Sequence, residues 1–364
     1  MKLLEYIFFI CKTETKKEKN FKEKNMNEQQ LLSPMKRLSD HTAARVQATK
    51  SPSKFTVAKG NVRFIWGESC CGQKKDGPQT APPLVCDAAF LDLVRDMGWE
   101  PSISRSHQVF KPSPVIEDER VSHLHEPFCV AETCDLVARQ VSQAHADGAF
   151  PILIGGDHCL ALGSVKATAQ AFPKVIVVWF DAHADINTPE TSPSGNIHGM
   201  PLAGIIGLPG MNVSAFHNGR FACIQPHQVV WIGLRDVDDG EMKTLAELNV
   251  KKNAYFMSDV NRLGMRKIIS QIIHDMNPNL DIPMHISFDV DGMDPMDAPS
   301  TGTPVVGGVR IHEALELVDA LRETGCLVSF DCVEVNPSLG SQKDSEITIA
   351  NARLVIAHAL GNRS

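Results

Sequence analysis

The stretch "VIVVWFDAHADINTPETSPSGNIHG", residues 175–199, gives two kinds of information in succession. Val175–Phe180 is an unbroken run of β-branched and aromatic residues, without the alternation of a half-solvated strand. Such a run reads as a strand buried on both faces, which places it in a parallel sheet covered by helices. Directly behind it come Asp181, His183 and Asp185, spaced two apart and so able to share one face of extended chain. Alone, the motif reads first as a strand ending in an ordinary polar loop, and the rest of the chain has to decide.

The same pattern recurs. Val62–Trp66, Pro151–Ile154, Val229–Ile232, His285–Phe288 and Cys326–Phe330 are further candidate strands. Amphipathic stretches at Glu132–Ala146, Leu160–Ala171, Gly240–Leu248, Arg266–Asp275 and His312–Arg322 lie between or beside them, and Ser345–Leu360 reads as a closing helix. No Gly/Ser/Pro-rich linker and no internal repeat divides the chain, so residues 61–364 are expected to form a single α/β domain. Open parallel sheets bind ligands beyond the carboxyl ends of their strands. The segments directly behind these runs are "GGDHC" (155–159), "DAHAD" (181–185), "GLRDVDDGE" (233–241), "DVDGMDP" (289–295) and "DCVEVNP" (331–337). Acids and histidines converge on one rim.

His158, Asp181, His183, Asp185, Asp289 and Asp291 are six side chains of metal-ligand type at three of those strand ends. Any one of the acids could instead cap a helix or close a turn. Four carboxylates confined together repel and hold protons unless cations neutralise them, and two divalent ions cancel their charge. An oxygen-rich set with two imidazoles favours Mn²⁺ over a sulfur cage, and a metal pair can ionise a shared water into a nucleophile. His123 and His125 follow none of these strands and read as structural; His285 lies inside its strand and reads as packed.

These residues resemble the ureohydrolase superfamily and, more narrowly, the arginases. The motifs "GGDH", "DAHAD", "SGNIHG", "SFDVDGMDP", "STGTPVVGG" and "EVNPSLG" occur in the family's order, across about Asn61 to Leu360. The loop "DINTPETSPSGNIHG" is arginase-like, because agmatinases lack this carboxylate-binding segment. The resemblance implies an eight-stranded parallel sheet with helices on both faces and two Mn²⁺ per subunit. One ion would be held by His158, Asp181, Asp185 and Asp289, the other by Asp181, His183, Asp289 and Asp291, with Asp181 and Asp289 bridging. It implies hydrolysis of L-arginine to L-ornithine and urea, with His198 moving protons, Asp185 accepting a hydrogen bond from the intermediate, and Glu334 orienting the guanidinium. Asn187, Ser192 and Ser194 would meet the substrate's α-carboxylate, Asp238 and less directly Glu241 its α-amino group, and Thr303 would line the pocket. A planar guanidinium suits a carboxylate fork, and its unreactive carbon needs a strong nucleophile. Two alternatives stand beside this reading: a ureohydrolase for another guanidino compound (agmatinase-like), and a catalytically inactive arginase-like regulatory subunit. The sequence departs from the family at Cys159, where Ser is usual, and in a shortened Cys70–Pro82 loop.

A net charge of -7 argues against a general nucleic-acid binder, and no apolar run approaches membrane-spanning length. The expected partners are a small-molecule substrate and further copies of the chain, as a trimer or a hexamer. Ten cysteines show neither zinc-ligand spacing nor a disulfide framework, so free thiols in a reducing compartment are expected. Residues 1–60 are expected to be a disordered or targeting extension. Within it, Met35–Lys59 is basic with Asp40 its only acid, which fits a mitochondrial transit peptide and equally a solvated tail. The compartment is therefore cytoplasmic or mitochondrial.

Overall fold

Continuous apolar runs set the architecture. The computed structural model describes residues 60–109 and 122–362, so the expectation for the N-terminal extension lies outside the described residues. Eight strands form one sheet: β1 (Asn61–Glu68), β2 (Glu100–His107), β3 (Phe150–Ile154), β4 (Ile176–Phe180), β5 (Val229–Leu234), β6 (Ala254–Phe256), β7 (Met284–Asp289) and β8 (Leu327–Val333). Their order is β2-β1-β3-β8-β7-β4-β5-β6, with every neighbouring pair parallel. β3, β4, β5, β7 and β8 are buried at every position, as runs without alternation require.

Successive residues of each strand feed opposite cores. Val178, Phe180, Ile286, Phe288 and Phe330 pack on one face; Val177, Trp179, Val229 and Trp231 pack on the other. Helices α3 (Pro127–Ala146) and α4 (Ala161–Ala171) cover the tryptophan face. Helices α8 (Met265–Met276), α9 (Ile311–Glu323) and α10 (Gln342–Ala359) cover the phenylalanine face, with α1 (Ala81–Val85) and α2 (Ala88–Asp96). Among the described residues, the short helices α5 (Pro201–Ile206), α6 (Asp239–Glu247) and α7 (Met257–Leu263) complete the set.

The six expected strands are present. The two that sequence patterning missed are the sheet's edges. β2, "EPSISRSH", pairs only with β1 and leaves most of its residues partly or fully exposed; β6 is three residues long. Polar, short edge strands are what a sheet uses to avoid pairing with another chain, and they carry no apolar signal. Two helices begin earlier than their apolar periodicity suggests. α3 starts at Pro127 in its first turn, and α10 starts after Ser341, whose hydroxyl accepts from the Asp344 N–H in a capping box.

One expectation is corrected. Cys71 and Cys129 form a disulfide, with Cα atoms 6.2 Å apart. The loop after β1 and the first turn of α3 meet only in the folded chain, 58 residues apart in sequence, so no spacing rule reveals the pair.

Candidate active site

The rim is built strand by strand. After β3 the chain turns through Gly155 and Gly156, both at φ 76, a region that favours glycine. A Cβ on Gly156 would stand 2.7 Å from the Gly67 carbonyl oxygen, so the turn also needs the close approach. Asp157 caps the short helical turn behind it, accepting from the Cys159 N–H at 3.2 Å and the Gly72 N–H at 2.7 Å. This fixes His158 beneath the ends of β4 and β7.

His158 Nδ1 lies 3.0 Å from Asp181 Oδ2, 3.1 Å from Asp185 Oδ2 and 3.2 Å from Asp289 Oδ2. His183 Nδ1 lies 3.2 Å from Asp181 Oδ1 and 3.2 Å from Asp291 Oδ2. Two groups of ligand atoms result, and Asp181 lends one oxygen to each. Asp289 joins the His158 group through Oδ2, while its Oδ1 accepts from the Asp291 N–H at 2.8 Å.

The buried His158 Nδ1 makes no hydrogen bond of acceptable geometry despite three oxygens within reach. One N–H cannot serve three carboxylates spread around it, whereas a cation can take all four atoms as ligands. The other ring nitrogen, Nε2, is 3.0 Å from Ser287 Oγ, and Ser287 donates to Asp331 Oδ2 at 3.1 Å. With Nδ1 given to a cation, that chain would keep the imidazole proton on Nε2. The ring is also stacked on Trp179 at 3.9 Å and 7°, and Trp179 Nε1 donates to Asp181 Oδ2. The donor set, its orphaned nitrogen and its supporting contacts fit a pair of divalent cations.

Without cations, the cluster's electrostatics are those of crowded, buried acids. Burial and the charge of Asp181 push Asp185 up to about 7. Burial and the charges of Asp291 and Asp181 raise Asp289 well above the carboxylate range. Burial would raise Asp181 too, but the adjacent His158 and His183 imidazoles overcome it and hold Asp181 low. Such opposed shifts are the mark of a site built to be neutralised from outside.

The centre opens into a cavity of about 290 Å³. Asp185, His198 and Thr303 line it near the metal-type ligands, and Asn187, Ser192, Ser194, Asp238 and Glu241 line it farther along the loops. Thr303 donates to Asp291 Oδ2 at 2.8 Å. Asn187 Nδ2 donates to Asp238 Oδ2 at 2.7 Å, and Asp238 caps α6 by accepting from the Glu241 N–H. Glu241 returns the contact to the Asp238 N–H and also accepts from the Ile186 N–H. Burial, with Asp185 nearby, pushes Glu241 up to about 8. Ser192 and Ser194 accept from the N–H groups of Gly195 and Asn196, at 3.1 and 3.2 Å. A hydroxyl used as an acceptor still has its own proton to give, so both serines can donate to an anion.

Glu334, at the end of β8, does not reach the cavity wall. It is 1% exposed and 3.0 Å from His198 Nδ1. Burial would lower His198, but Glu334 outweighs it and raises the imidazole to about 9. Burial would raise Glu334, but its contact with His198 holds it below the usual range. His285 is packed, 2.8 Å from Asp331 and 3.2 Å from Thr168 Oγ1, and His125 backs the site loop through its N–H to the Gly195 carbonyl.

Sequence reasoning missed several contributors. Ser287 and Asp331 point inward from β7 and β8, Trp179 lies under His158, and Gln73 contacts Glu334. Arg235 donates to the carbonyls of Asp291, Gly292, Met293 and Val305, fixing the loop that carries Asp291. Asp236 stands 3.6 Å from His183 Nε2.

An open parallel sheet with a carboxylate and imidazole metal cradle at its carboxyl edge defines a hydrolase of the ureohydrolase class. Residues 70–361 match the profile described as "Arginase family". An arginase of Glaciozyma antarctica is 36% identical over 296 residues, covering 80% of this chain and 84% of that one. The crystal structure of Bacillus subtilis arginase superposes with TM-score 0.70 at 32% identity, covering 84% of this chain and 99% of its own. That of Entamoeba histolytica arginase in complex with L-ornithine gives TM-score 0.73 at 29% identity, covering 83% and 98%. The chain belongs to the arginase family.

Proposed function

We propose that this chain hydrolyses L-arginine to L-ornithine and urea with two Mn²⁺ ions held by His158, Asp181, His183, Asp185, Asp289 and Asp291. The observation that carries the reading is the orphaned His158 Nδ1 among three carboxylate oxygens, at the base of a cavity lined farther out by Asn187, Ser192, Ser194 and Asp238. When bound, the cations neutralise the four carboxylates and supply ionised water at neutral pH.

The remaining chemistry belongs to side chains. Asp185, on the cavity wall, accepts a hydrogen bond from the attacking water and keeps it aimed at the guanidinium carbon. His198 is kept cationic near neutral pH by Glu334 and donates its proton to the departing nitrogen, the general-acid step that collapse to an amine requires. The hydroxyls of Ser192 and Ser194 and the Asn187 amide meet the α-carboxylate, and Asp238 meets the α-ammonium. A site that hydrogen-bonds both groups discriminates against agmatine, which lacks the carboxylate. The active form is a homo-oligomer, trimer or hexamer, to be checked by sedimentation. The deciding assay is urea release from L-arginine and agmatine by Mn²⁺-loaded protein; no urea from L-arginine refutes the reading, and preference for agmatine replaces it with the agmatinase-like one.

A further inference from the structure

Glu334 is surrounded by donors from its own chain. Oε1 accepts from the His158 N–H, from His198 Nδ1 and from Gln73 Nε2, each at 3.0 Å. Oε2 accepts from the same Gln73 Nε2 at 2.8 Å. Oε1 therefore takes three donors and Oε2 one, and Gln73 Nε2 is the one of them that spans both oxygens. A guanidinium that forks a carboxylate places one donor on each oxygen. The planar amide of Gln73 therefore stands where one edge of a guanidinium would lie.

The loop is arranged to put it there. Gly72 is pinned on both sides, its N–H to Asp157 at 2.7 Å and its carbonyl to the His198 N–H at 3.1 Å. Lys75 reaches the Gly302 carbonyl. Gly302 leaves the space the amide occupies: a Cβ there would stand 3.3 Å from Gln73 Oε1 and 3.7 Å from Glu334 Oε2. Gln73 is 3% exposed, and residues 74–76 beside it are exposed, so it lies at the edge of a solvent-facing loop.

We propose that Gln73 is a specificity-determining gate: its amide occupies the fork on Glu334 and must swing aside before a guanidinium can bind there with two hydrogen bonds. The gate acts on guanidinium-ended ligands and is indifferent to ammonium-ended ones, because a single ammonium has no planar pair of donors to place. The inference rests on the guanidino-substrate reading above.

Gln73→Ala removes the competing donor. The full-length chain, freed of metal so that nothing turns over, is titrated by calorimetry with L-arginine, agmatine and L-ornithine. The gate predicts that both guanidinium compounds bind about tenfold more tightly to the variant, the equivalent of one hydrogen bond to a charged group, while L-ornithine binding is unchanged. In the Mn²⁺-loaded enzyme KM for L-arginine falls and kcat holds. Gln73→Met, which removes the donor without leaving a cavity, replaces the alanine variant if that folds poorly. Unchanged or weaker L-arginine binding overturns the gate, as does a gain shared equally with L-ornithine. Loaded parent enzyme that releases no urea from either guanidino compound refutes the proposed activity instead, and the calorimetric comparison still decides the gate.

Discussion

Ser287→Ala tests whether the proton position on His158 is set from inside the sheet. The Ser287 hydroxyl takes one hydrogen bond from His158 Nε2 at 3.0 Å and gives one to Asp331 Oδ2 at 3.1 Å. Asp331 Oδ2 keeps Ser164 at 2.7 Å and His285 at 2.8 Å, so the carboxylate is not stranded. The group left without a partner is the imidazole N–H, in a side chain with no exposed surface. An orphaned buried donor costs about 1–3 kcal/mol, and a lost hydrogen bond to a charged group about 1.5 kcal/mol more. A total of about 2.5–4.5 kcal/mol corresponds to a Tm lower by roughly 4–7 °C in a chain of this size.

The metal readout separates this from a general loss of packing. Stacking on Trp179 still holds the ring plane, so the variant changes where the proton sits, not where the ring lies. A free choice of tautomer puts a proton on Nδ1 part of the time, and loss of such an outer contact weakens metal affinity by about 10–100-fold. Thermal unfolding of metal-free protein and a Mn²⁺ titration followed by calorimetry measure the two effects. A variant with parental Tm and parental Mn²⁺ affinity would show that Ser287 fills space only.

Asp291→Ala deletes one ligand of the His183 group and should weaken Mn²⁺ binding and urea release together; unchanged values for both would show the ligand assignment wrong. Mn²⁺ at about 100 times its dissociation constant should stabilise the parent by about 2.7 kcal/mol, seen as a raised Tm that chelator reverses. Asp238→Asn keeps a competent helix cap but removes the charge facing the cavity, so KM for L-arginine should rise roughly 10–100-fold with little change in Tm; equal KM values would remove Asp238 from the substrate site. His145 is half-buried against Phe172 and near His285; that burial first, and then His285, lower its pKa from 6.5 to about 4. A base whose folded pKa is depressed contributes stability above 6.5 that is lost as pH falls towards 4. Between about pH 7.5 and 5 that loss is roughly 2 kcal/mol, and His145→Gln should lack it; parallel stability curves for parent and variant would refute the assignment.

The legible part of this protein is the part whose signal is local. A strand buried on both faces must be apolar throughout, so Val175–Phe180 and its counterparts declare themselves, and the acids behind them can be counted without coordinates. The edge strands β2 and β6 hide because an edge is safest when short or polar. Ser287 and Asp331 are hidden differently: Ser287 looks like an ordinary polar residue in a largely apolar run and Asp331 like another acid behind a strand, and only pairing β7 directly with β8 turns them into a support for His158. The Gln73–Glu334 contact spans 261 residues, beyond any pattern in the chain.

Backbone conformation is the other hidden layer, and it bears on function more than on fold. Asp185 sits at φ 51 and Glu334 at φ 63, in the left-handed region where glycine or asparagine is usual. Each non-glycine residue there costs of order 1 kcal/mol. Glycine would relieve that strain at both places but would remove a carboxylate from the cavity wall at one and the partner of His198 at the other. The left-handed turn is what allows a strand end to redirect its next side chain towards the rim within a single residue. Sequence patterning expects acids at strand ends to follow the strand's two-residue alternation, and so it cannot say where either carboxylate points. The hydrogen bonds that hold Glu334, from His158, His198 and Gln73, are what a strained backbone needs in order to persist. Strain and saturation therefore belong together at this carboxylate: the donors that stabilise its unusual backbone are the same ones a guanidinium must displace or join.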